Sequence, residues 1–118
     1  MLYTNLKHLE NAAEHARAIS ANEQVLVVCG RMDTGCIPVY RAAEELETAY
    51  RDVKFFDMEF DNPESEVIRS LPEMSRFMGV PFVVCYKNGE VVSANSGIQS
   101  KGQLVQSLNE AFAVAEKV

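Results

Sequence analysis

The apolar positions of this chain fall into several stretches whose periods differ. Between residues 5 and 20, Leu6, Leu9, Ala13, Ala16 and Ile19 lie along one side at helical spacing. Thr4 or Asn5 is placed to cap that helix, and Met1 to Tyr3 reads as a short edge strand ahead of it. Val25-Leu26-Val27-Val28-Cys29 is a continuous apolar run, the pattern of a central strand covered on both faces. Ala42, Ala43, Leu46, Ala49 and Tyr50 return to helical spacing. From Val53 to Phe60 the period drops to two, with Phe56, Met58 and Phe60 alternating against Phe55, Asp57 and Glu59. Asp61-Asn62-Pro63 opens a third helical stretch, interrupted at Pro72 and resumed through Met74, Phe77 and Met78. Phe82 to Tyr86 and Val91 to Ala94 form a hairpin about Lys87-Asn88-Gly89-Glu90. Ser100-Lys101-Gly102-Gln103 has the form of a capping box, in which serine and glutamine side chains satisfy each other's orphan amides. The helix that follows buries Leu104, Leu108, Ala111, Phe112 and Ala115.

The resulting order is β-α-β-α-β-α-β-β-α, a βαβ half followed by a hairpin and a closing helix. With no linker, repeat or low-complexity segment, residues 1–118 are expected to form one α/β domain. The net charge of −6 argues against nucleic acid or an anionic membrane as partner, because both demand a basic patch. Acidic residues gather at Glu44, Glu45 and Glu47 and again from Asp57 to Glu66, and read as solvated faces. No apolar run approaches the roughly 20 residues of a membrane span. The start, Met1-Leu2-Tyr3-Thr4-Asn5, lacks the basic and apolar regions of a secretory signal, so a cytoplasmic location is expected. Cys29, Cys36 and Cys85 show neither C-x-x-C nor metal-ligand spacing, and His8 and His15 belong to the first expected helix. No metal and no cofactor are expected.

Several local patterns resemble the thioredoxin family over nearly the whole chain: Gly79-Val80-Pro81 before a strand, Lys87-Asn88-Gly89-Glu90, Gly97, and Ser100 to Leu104. The resemblance implies a thioredoxin-like three-layer sandwich, a central mixed β-sheet flanked by helices, with a cis peptide before Pro81. In that family the proline faces the active-site cysteines and leaves a backbone edge free to pair with substrate peptide. The same alignment sets Met32-Asp33-Thr34-Gly35-Cys36-Ile37 on the family's Trp-Cys-Gly-Pro-Cys-Lys. Asp33 then stands at the nucleophilic cysteine and Cys36 at the resolving one. Cys29 falls on a conserved tryptophan, Val27 on the buried aspartate that assists the resolving thiol, and Asp57 where a lysine is usual. The segment between Asp61 and Pro81 is longer than the family's, and the chain has no tryptophan.

The chemistry expected of this motif follows from what replaced what. A thioredoxin nucleophile is a thiolate held by amides at a helix N-terminus. Asp33 at that place is either a cap accepting from the Gly35 or Cys36 amide, or an anion serving a site of another kind; neither makes it a sulfur nucleophile. Cys36 is either inert or a monothiol forming a mixed disulfide or an oxidised cap, with Cys29 as a conceivable thiol partner. Cys85 reads as core. Met32, Thr34, Gly35, Val80, Pro81 and Gly97 would line the groove in which the family holds extended peptides. The expected function is therefore a thioredoxin-like protein without the dithiol site that binds a protein or peptide beside Pro81. The alternative is a monothiol oxidoreductase using Cys36 and a low-molecular-weight thiol or partner cysteine, and a third class is a small subunit of a larger complex.

Overall fold

The computed structural model describes residues 2–75 and 79–112. Strands β1 (Lys7–Leu9), β2 (Gln24–Gly30), β3 (Lys54–Glu59), β4 (Phe82–Lys87) and β5 (Glu90–Ser96) form one sheet in the order β1-β3-β2-β4-β5. The first three in that order run parallel, and β4 and β5 run antiparallel to them, so the sheet is mixed. Helices α1 (Ala12–Ala21), α2 (Ile37–Ala49), α3 (Glu66–Arg69) and α4 (Lys101–Phe112) cover its two faces.

Each face has its own core. Leu26 and Val28 of β2 point to a cluster built with Val39, Tyr40, Ala43 and Leu46 of α2 and Leu104, Leu108 and Phe112 of α4. Val25, Val27 and Cys29 point the other way, to Ala18 of α1, Ile68 of α3 and Met74. This is why β2 has no polar face: successive side chains enter opposite cores, and all from Val25 to Cys29 are fully buried. The β4–β5 hairpin turns at Asn88 (φ 54°) and Gly89 (φ 84°), a pair with left-handed backbone that matches the twist of the strands. At the start of α4 the Ser100 amide donates to Gln103 Oε1 (2.8 Å) and the Gln103 amide to Ser100 Oγ (3.1 Å), the reciprocal capping box.

The N-terminal region departs from expectation. There is no helix from residue 5; Lys7–Leu9 is a strand paired with β3, and α1 starts only after Asn11, whose side chain accepts from the Glu14 amide. Leu6 and Leu9 are three apart, which fits one side of a helix but equally fits opposite faces of a strand. Here Leu6 enters one core and Leu9 the other. Leu2 and Tyr3 are not in a strand, and Thr4 hydrogen-bonds Asp57 instead of capping a helix. The third helical stretch does open at Asn62, whose Oδ1 accepts from the Glu64 amide. It runs as a 3₁₀ turn (Pro63–Ser65) into α3, and a second 3₁₀ turn follows (Pro72–Met74). Phe77, Met78 and Ala115, expected as helical, lie outside the described residues.

Candidate functional site

The carboxyl end of β2 leads through Arg31 and Met32 into a turn at Asp33–Cys36, and from there into α2. Asp33 closes that turn twice. Its carbonyl accepts from the amides of Cys36 (3.2 Å) and Ile37 (3.0 Å), and its Oδ1 accepts from Gly35 (3.1 Å) and Cys36 (2.7 Å). Amides that a helix start offers to an anion are thus taken by the chain's own carboxylate. These bonds, led by those to Cys36, hold the Asp33 carboxyl below its ordinary range.

Cys36 sits beneath the turn with none of its surface exposed. Its Sγ accepts weakly from the Arg31 amide at 3.4 Å. Burial pushes the thiol up to about 11, and the anionic Asp33 acts in the same direction. Cys29 does not come to its aid. Odd and even positions of β2 face opposite sides of the sheet, so Cys29 belongs to the core on the α1 side and Cys36 to the core on the α2 side. Both are free and buried, and burial pushes Cys29 up to about 12. Cys85 is core, as its strand position implied.

Two residues that the sequence reading passed over shape the floor beneath Cys36. Gly30 ends β2 at a point where a Cβ would lie 2.7 Å from Tyr40 Oη, closer than real Cβ atoms approach, and 3.0 Å from both Cys36 Sγ and Pro81 Cβ, a tight fit. The missing side chain is what lets the Tyr40 ring, the thiol and the proline converge. The Tyr40 hydroxyl is buried and has no hydrogen-bond partner among the described residues. A lone glycine closing an apolar strand was the available signal, since it marks close backbone approach.

Close to this turn, the Val80–Pro81 peptide is cis, and the Pro81 carbonyl accepts from the Gly97 amide at 3.0 Å, with Gly97 at φ 88°. Val80 is half-buried, and no backbone hydrogen bond engages it among the described residues. Met32 is half-buried with its sulfur accepting from the Tyr3 amide, while Thr34 is exposed. Ile98, also missed from sequence, is 72% exposed and would touch a Cβ at Gly35 (3.5 Å), so it lies beside the turn. Asp57, expected within a solvated acidic run, is instead fully buried and hydrogen-bonded to Thr4 and His8. Val27 packs in the α1-side core.

No protein-family model matches the chain, and no curated protein matches it. Solved structures do. Thioredoxin from Plasmodium falciparum is similar at 26% identity and a TM-score of 0.72, over 91% of this chain and 99% of that one. Mitochondrial thioredoxin 3 from Saccharomyces cerevisiae, in its oxidized form, matches at 23% identity and a TM-score of 0.73, over 89% and 94% of the two chains. Thioredoxin from Trypanosoma brucei brucei matches at 18% identity and a TM-score of 0.75, over 95% of each. The architecture is the thioredoxin fold.

Proposed function

We infer that this thioredoxin-fold protein binds an extended protein or peptide segment in the groove beside Pro81 and carries out no dithiol exchange. Its similarity to thioredoxins sets it in thiol-redox biology generally. The observation that carries the finer reading is the state of the turn: Asp33 occupies the amides that would hold a thiolate, and Cys36 is buried with a raised pKa. What the groove keeps is the part that needs no sulfur. A strand pairing with the backbone at Val80, its side chains resting on Met32, Thr34, Gly35, Gly97 and Ile98, uses main-chain hydrogen bonds for affinity.

Two measurements test this reading. In an insulin-reduction assay the wild-type protein turns over no faster than its Cys36→Ser variant; robust turnover lost in that variant overturns the inference in favour of monothiol chemistry. Peptides selected from a display library on the wild type lose about tenfold or more in affinity for Pro81→Ala, a loss of roughly 1.4 kcal/mol. Undiminished binding by that variant removes the groove from the reading. Asp33→Cys restores a dithiol to the turn and is expected to yield measurable insulin reduction. No gain would mean that Val27 and Gly30 have altered the site beyond the motif itself.

A further inference from the structure

Away from the groove, on the α1 side of the sheet, two fixed cations stand without partners beside an aromatic floor. Lys7 of β1 lies opposite Phe56 of β3 in the strand ladder, so both side chains leave the same face of the sheet, as does Leu9 two residues on. That face is the α1 side, where Leu9 and Phe56 pack with Ala18. Glu14, Arg17, Ala18 and Ala21 follow at helical spacing along one stripe of α1, which sets Arg17 beside the buried Ala18. Between this stripe and the two strands lies an open hollow of about 350 Å³, lined by Lys7, Arg17, Glu14 and Phe56 among others. Its size is that of a small-molecule site.

Among the described residues, neither Lys7 nor Arg17 has an ion pair, and neither side chain makes a hydrogen bond. The one carboxylate lining the hollow, Glu14, turns its Oε1 to the Glu10 amide at 2.8 Å. Two permanent cations against one carboxylate leave an excess positive charge here, in a chain whose net charge is −6. His8 also borders the hollow, and the excess stands without any charge on it. The Arg17 guanidinium offers paired N–H donors in the geometry that a carboxylate accepts, and Lys7 adds a point charge. Phe56 is half-buried, so part of its ring surface is left for an apolar body to cover.

We propose that this hollow binds a small aryl monocarboxylate, its carboxylate held by Arg17 and Lys7 and its ring packed on Phe56, Ala18 and Ala21. The site does not depend on the groove beside Pro81. A cation entering the hollow meets two of its own sign, and a neutral ligand covers both without pairing them. A dianion exceeds the single excess charge and is set against Glu14.

The test is a titration of the isotope-labelled chain with phenylacetate at neutral pH and low salt, following the Arg17 Nε–H and the Phe56 ring. Phenylacetamide, phenethylammonium, acetate and phenyl phosphate serve as comparison ligands. Saturable shifts are expected with phenylacetate and none with phenethylammonium. Replacing the carboxylate by the amide, or the aryl group by the methyl of acetate, should weaken binding by about fivefold or more, as should Arg17→Gln or Lys7→Gln. Both variants change exposed side chains and are expected to leave the thermal midpoint in place, so lost binding is not lost folding. An absence of saturable shifts, an equal response to phenylacetamide or to acetate, undiminished binding in Arg17→Gln, or tighter binding of phenyl phosphate each overturns the proposal.

Discussion

The two sides of the proposed groove beside Pro81 differ in how far their polar groups are committed. On the α2 side every group that could hold or make a thiolate is already committed. The Gly35 and Cys36 amides point at Asp33, the thiol is sealed beneath the turn, and the floor is filled by a tyrosine that only Gly30 allows. On the β4 side the backbone at Val80 is uncommitted among the described residues, Gly97 props the Pro81 carbonyl, and Ile98 stands in solvent. The difference teaches that sulfur chemistry and strand recognition make separable demands. A nucleophile needs exposure and free amide donors; an added strand needs only an unpaired edge and pockets for alternate side chains.

The comparison can be broken most sharply at Cys36. With its thiol at about 11 against an ordinary value near 8.5, alkylation in the native state is expected to run about two orders of magnitude slower than in denaturant near pH 8. Equal rates would mean that the α2 wall is open. Next comes Gly30→Ala. Its Cβ would fall within 2.7 Å of Tyr40 Oη, so urea unfolding should show a loss of about 2 kcal/mol, as overpacked cores do. Adding Tyr40→Phe should restore part of that loss, because the hydroxyl is the nearest obstruction; strict additivity of the two changes would contradict the shared-space account. Tyr40→Phe alone should stabilise by about 1 kcal/mol, since it deletes a buried hydroxyl without a partner.

Smaller effects separate the walls further. Asp33→Ala should lower the thermal midpoint by a few degrees, through the loss of the bonds to Gly35 and Cys36. The sign of the pH dependence follows from the depressed carboxyl. Its stabilisation is full above the unfolded value near 3.9 and is lost as pH falls through the lower folded value, so wild type and Asp33→Ala should converge in acid. Ile98→Ser on the opposite wall should leave stability within about 0.5 kcal/mol, as exposed positions do, while weakening selected peptides.

Much of the fold was legible because it is written in local terms. The apolar run of β2, the Asn88-Gly89 turn, the Ser100–Gln103 box and the opening at Asn62 each state a backbone preference within a few residues, and each appears in the structure. The start of the chain was misread for an equally definite reason: Leu6 and Leu9 satisfy two periods, and only pairing with β3 chooses between them. In the site, the bonds from Asp33 to the Gly35 and Cys36 amides were legible because they span two and three residues, although they close the turn before α2, whose N-cap is Cys36. Gly30, Tyr40 and Ile98 were not, because each matters through contacts with residues distant in the chain. The acidic run from Asp57 to Glu66 likewise hid one member that is not on the surface at all.

By itself, the sequence determined the order of the elements, the turns and caps that punctuate them, and the acceptor Asp33 in the turn ahead of α2, all of which depend on neighbours along the chain. The tertiary structure alone decided that Cys29 and Cys36 face opposite cores, that Gly30 opens the space Tyr40 fills, and that Asp57 is buried against His8. Those outcomes turn on which face of a shared sheet a side chain enters, and a face exists only once the strands have paired.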